Sequence, residues 1–115
     1  MVCASANPLL LDGLRHLEAL GPFRVSGEAR EVRGLLACLE KCKPALLILD
    51  LDLTGQDSSL VEKCRRAHPG LKVVVVEGRQ VDPTLSPEVE MADAFVDLGQ
   101  SMARLVTQLE KLCSL

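Results

Sequence analysis

Residues 46–59 read LLILDLDLTGQDSS. Leu46 to Leu49 form a short, wholly apolar run, and Asp50, Asp52 and Asp57 follow within a few residues. A continuous apolar run of this length, bounded by turn-forming residues, reads as a strand buried on both faces, the pattern of a parallel sheet covered by helices. The carboxylates at its far end have two readings. Asp50 accepts backbone N–H groups at a strand-to-helix turn, a common task for aspartate, or it stands at a working site.

Outward from this stretch, short apolar runs alternate with helical patterns. VVVV in LKVVVVEG (71–78) is a second fully buried strand; MVCA at the N-terminus, FRVSGEA (23–29) and AFVDL (94–98) supply three more. Asn7-Pro8 reads as a helix cap followed by proline in the first turn, with Leu10, Leu14 and Leu17 at helical spacing up to Gly21-Pro22. Val32, Leu35, Leu36 and Leu39 make one stripe of a second helix. Leu60, Val61 and Cys64 mark a third, and residues 86–91 offer a short fourth. Met102, Leu105, Val106, Leu109 and Leu112 line a fifth, capped by Ser101. Five strands and five helices in alternation, joined by right-handed crossovers, predict an α/β domain spanning residues 1–115. In such open sheets, ligands bind beyond the carboxyl ends of the strands. Asp50 and Glu77 both fall there.

Composition narrows the function. Tyr and Trp are absent and aromatics total 2%, so base stacking has no platform. The net charge of −3 and scattered Lys and Arg give little attraction to nucleic acid or anionic membrane. No apolar stretch reaches the ~20 residues of a membrane span, and no secretory signal opens the chain. A cytoplasmic protein is the expectation. Cys3, Cys38, Cys42, Cys64 and Cys113 show no C-x-x-C pair. Cys38 and Cys42 could share a helix face, but no second pair completes a tetrahedral zinc set, so small reduced thiols are expected. No glycine-rich phosphate loop, Ser-His-Asp or Cys-His arrangement supports an enzyme.

These residues resemble the receiver domain of two-component response regulators, over nearly the whole chain. ANPLLLDGL is similar to the family's Asp-Asp-His-Pro-Leu-Leu-x-x-Gly-Leu after the first strand, and FRVSGEA to its second strand. KPALLILDLDLTGQDS is similar to the third strand, the phospho-acceptor aspartate and the loop after it. HPGLKVVVV and ADAFV are similar to the fourth and fifth strands. The resemblance implies a flavodoxin-like sheet of order 2-1-3-4-5 with helices on both faces, and is nearest the subgroup fused to helix-turn-helix DNA-binding domains. It implies a signalling role, with a histidine kinase or an output domain as partner. It also implies dimerisation or output through the face of helix four, strand five and helix five, around residues 86–91 and 101–115.

The resemblance places the phospho-acceptor at Asp50. The family surrounds that residue with an acidic pair, a Thr or Ser, and a Lys; here the corresponding residues are Ser5 and Ala6, Glu77, and Leu98. Ser5 and Ala6 remove carboxylates that would hold Mg²⁺, and Leu98 removes the ammonium that would pair with a phosphoryl group. Glu77 adds negative charge where a phosphoryl group would bring more. The expectation is an atypical pseudo-receiver without Mg²⁺ or another cofactor, acting through protein contacts. One alternative is an ordinary receiver phosphorylated at Asp50; a cation shared by Asp50 and Glu77 is a minor variant. Another is an anti-sigma-factor-antagonist-like domain switched at Ser58 or Ser59, which LDLTGQDSS also resembles.

Overall fold

In the computed structural model, residues 1–20, 23–54, 59–77, 92–97 and 102–113 are described. Five strands form one parallel sheet: β1 (Val2–Ala4), β2 (Gly27–Ala29), β3 (Leu46–Asp50), β4 (Lys72–Glu77) and β5 (Ala94–Asp97). Their order is β2-β1-β3-β4-β5, as the resemblance implies. The described helices are α1 (Pro8–Arg15), α2 (Leu17–Leu20), α3 (Val32–Cys42), α4 (Leu51–Thr54), α5 (Leu60–Ala67) and α6 (Met102–Cys113). None of them is long and apolar enough to cross a membrane.

The apolar runs of β3 and β4 are explained by a core on each side of the sheet. Leu47, Leu49, Val73 and Val75 pack with Leu35 and Leu39 of α3 and Leu60, Val61 and Cys64 of α5. Alternate residues Ile48, Val74 and Val76 pack with Leu11 and Leu14 of α1 and Leu105 and Leu109 of α6. Both faces being covered, the runs Leu46–Leu49 and Val73–Val76 need no alternation with polar side chains. Complete burial of each such Leu or Val stabilises the fold by about 1.5–3 kcal/mol before the entropy of ordering is counted.

Three local features depart from the sequence reading. The second strand is confined to Gly27–Ala29. Phe23 and Val25 pack into the core on the α1 side, whereas Ala29 packs on the α3 side, so the alternation slips between Val25 and Gly27. Ser26 sits at the slip, donating its N–H to the Met1 carbonyl at 2.8 Å. The first helix divides at His16, whose ring Nδ1 donates to the Asp12 carbonyl at 2.8 Å. That carbonyl is the acceptor the His16 N–H would use in a continuing helix; the N–H bonds Gly13 O at 3.2 Å instead, tightening the chain. Leu36 of the second helical stripe is exposed, leaving Leu35 and Leu39 as its fully buried residues. The fourth helix expected over 86–91, the cap at Ser101 and the Gly21-Pro22 stop lie outside the described residues.

Capping fixes the entry to α1. Asn7 accepts the Leu9 N–H at 3.0 Å and Pro8 takes the first helical position. β5 is fastened to β4 by Asp93, whose N–H donates to Val73 O at 2.8 Å. The Asp93 carboxylate accepts from Val73 N–H at 2.7 Å and from Arg65 at 2.6 Å.

Candidate functional site

The carboxyl ends of β1, β3 and β4 converge on Asp50. Parallel pairing sets Ala4 beside Leu49 and Asp50 beside Val76, so Ser5 follows β1, and Glu77 ends β4, next to the last residue of β3. Asp50 is only 4% exposed, Glu77 2%, and Ser5 is fully buried. These are the buried polar and charged residues among those described.

Burial of a carboxylate is costly unless donors reach it. Two do so here. The Ser5 hydroxyl donates to Asp50 Oδ2 at 2.6 Å, and the Asp52 N–H donates to Asp50 Oδ1 at 3.0 Å. Ser5 Oγ in turn accepts the Asn7 N–H at 3.0 Å, and the Ser5 N–H bonds Ala29 O at 2.9 Å. A short chain of hydrogen bonds therefore runs from the start of α1 through Ser5 to the end of β3. Its O–H···O⁻ link has the length of a charge-assisted bond.

The Asp52 bond has a local cause. Helix begins again at Leu51, immediately after β3, and this single turn folds residue 52 back over the Asp50 carboxylate. Carboxylate oxygens of Asp50, Asp52 and Glu77 consequently all lie within 4.8 Å of one another. Their spacing would let a hard divalent cation take oxygen ligands from all three. Without such an ion, three negative groups this close oppose any further negative charge.

The sequence-predicted positions divide clearly. Asp50, Ser5 and Glu77 meet at one site. Ala6 is exposed and offers no side-chain donor or acceptor. Leu98 and Ser58 lie outside the described residues, and Ser59 is the N-terminal cap residue of α5, half-buried. Asp52 is the residue that sequence reasoning left aside. A loop was expected after Asp50; the structure has a turn of helix there, α4, and the i, i+2 spacing of Leu51 and Leu53 carries no helical period that could have signalled it. Leu51 and Leu53 are both buried.

Mg²⁺, which the receiver resemblance implies, does not fit the position of the family's acidic pair. Ser5 there spends its hydroxyl proton on Asp50, and Ala6 has no side-chain oxygen to give. The carboxylate trio is a different donor set.

No protein-family model matches the sequence, and no curated protein does. Solved structures do match. The isolated REC domain of RcsB from Salmonella enterica serovar Typhimurium, with the phosphomimetic BeF3⁻, superposes with a TM-score of 0.78 at 24% identity, covering 96% of this chain and 86% of that one. A structure of two RcsB dimers bound to two parallel DNAs matches with a TM-score of 0.83 at 25% identity, over 96% of this chain and 58% of that chain.

The chain has the response-regulator receiver fold. A LuxR-family DNA-binding response regulator from Staphylococcus aureus gives the same result, with a TM-score of 0.81 at 22% identity over 96% of this chain and 95% of that one. The strand order and the parallel pairing are those of this fold. Two of these neighbours are structures of RcsB, and the third is a LuxR-family response regulator.

Proposed function

We propose that this receiver-type domain is a pseudo-receiver, a cytoplasmic module of two-component signalling that works through protein contacts rather than by phosphorylation of Asp50. The observation that carries this reading is the buried 2.6 Å hydrogen bond from Ser5 to Asp50. A phospho-accepting aspartate needs one oxygen free to attack and a cation to neutralise the incoming phosphoryl oxygens. Here one Asp50 oxygen takes the Ser5 hydroxyl and the other takes the Asp52 N–H. Each Asp50 oxygen thus already accepts one hydrogen bond, which ties the end of β3 to Ser5 after β1 and to α4. The phosphoryl group, at about −1.5 to −2, would also meet Asp52 and Glu77 within a few ångströms of its site.

Partners in this reading are proteins: an output domain, a kinase bound without phosphotransfer, or a second copy. The neighbours support it to the extent that RcsB dimers are seen bound to DNA. The described apolar stripe of α6 packs against the core. Leu105 and Leu109 are fully buried in the core, and the outward positions are Arg104, Thr107, Glu110 and Lys111.

Incubation with acetyl phosphate and Mg²⁺, followed by intact mass measurement, tests the reading. No added phosphoryl group is expected. An adduct that disappears in Asp50→Asn would establish an ordinary receiver instead. The carboxylate trio favours a second reading, in which Asp50, Asp52 and Glu77 hold a divalent cation. Mn²⁺-induced broadening of amides at these three residues, reversed by chelation, would support it.

A further inference from the structure

Away from Asp50, on the edge of the sheet, α3 carries two thiols one helical turn apart. Cys38 and Cys42 both reach over Gly27 of β2. A Cβ built on Gly27 would lie 2.7 Å from Cys38 Sγ and 2.8 Å from Cys42 Sγ. The sulfurs therefore meet at the space that the missing side chain leaves, and they are no farther apart than those two lengths laid end to end. Both cysteines are half-buried, and Cys42 Sγ lies 3.4 Å from the Ser26 carbonyl.

Geometry decides what such a pair can hold. A disulfide needs Cβ atoms about 3.5–4.5 Å apart, whereas residues four apart on a helix have Cβ atoms about 5–6 Å apart. Direct oxidation would distort α3. Zinc asks for four ligands, and the described surroundings supply two thiols. A soft ion satisfied by two sulfurs has neither difficulty. Metal–thiolate bonds of about 2.3 Å laid end to end fall within the reach of these sulfurs, and of the metals that soft thiolates favour, Zn²⁺ and Fe–S clusters ask for more ligands than two, which leaves Cu(I).

We propose that Cys38 and Cys42, seated on Gly27, form a two-coordinate thiolate site for a soft monovalent d¹⁰ cation, Cu(I) or its analogue Ag(I). Binding moves no electrons. Each thiol loses its proton to water, two S–metal bonds form, and the bis-thiolate complex carries one net negative charge. Gly27 is part of the site, because any larger residue would occupy the meeting point of the sulfurs.

The test is a titration of the full chain with Cu(I) held by a competing chelator, without oxygen or added thiols. One equivalent should transfer to the protein, with sulfur-to-metal absorption in the near ultraviolet. Cys38→Ser and Cys42→Ser should each weaken uptake by more than the ~10–100-fold cost of losing an outer-shell partner. Gly27→Ala, which keeps both thiols, should also weaken it. Alkylation mapping of the unmodified protein avoids reliance on any variant: Cu(I) should protect Cys38 and Cys42 together from iodoacetamide. The proposal is overturned if copper stays with the chelator. It is equally overturned if both cysteines alkylate at an unchanged rate, or if the folded double serine variant takes up as much copper as the native chain.

Discussion

Ser5 serves two neighbours with its single hydroxyl, donating to Asp50 and accepting from Asn7. Ser5→Ala removes both bonds at a fully buried position and should cost about 1–3 kcal/mol, read as a lower urea midpoint with unchanged slope. Asp50→Asn keeps the shape but replaces an acceptor-only carboxylate by an amide, and should cost less than Ser5→Ala if the amide oxygen keeps the Ser5 bond. Cys3 gives a prediction of a different kind. Burial pushes its thiol up from 9.0 to about 12. Between those values the unfolded chain sheds a proton that the native one keeps, so stability present below pH 9 is lost as pH rises toward 12. Urea midpoints measured from about pH 8 to 11 should fall more steeply for the native chain than for Cys3→Ala. An identical slope would mean that Cys3 does not titrate in this window.

At the scale of elements, α3 separates core from surface along one stripe. Leu39→Ala should cost about 2–5 kcal/mol, while Leu36→Ala, on the same helix but exposed, should stay within about 0.5 kcal/mol. Lys43 ends this helix in the left-handed region at φ 46°, so Lys43→Gly should raise stability by about 0.5–1 kcal/mol; a loss would show that the lysine side chain contributes there. The helical stripes were legible in sequence because each has a single core-facing side, and β3 and β4 because both faces are covered. What escaped was local. The slip at Ser26 depends on Met1 arriving from a distant point in sequence, and the break at His16 on a side chain capturing its own helix's carbonyl. Neither leaves a mark on hydrophobic period.

The whole molecule gathers its two core layers around a five-stranded sheet whose central strands deliver Asp50 and Glu77 to one edge. That delivery follows from parallel order alone, which is why the location of the site was readable before its geometry. The hydrogen bonds within it were not, since the approach of Asp52 depends on helix resuming at Leu51. In the function proposed above, Asp50 fastens strands together and accepts no phosphoryl group. Amide NMR spectra of the full chain in Mg²⁺, before and after beryllofluoride, with Asp50→Asn as control, put that role to the test. If Asp50 is a fastening, the spectra stay unchanged at millimolar Mg²⁺. Shifts centred on Asp50, Asp52 and Glu77 that vanish in Asp50→Asn would refute it, and would show a receiver that has kept its switch on a different set of ligands.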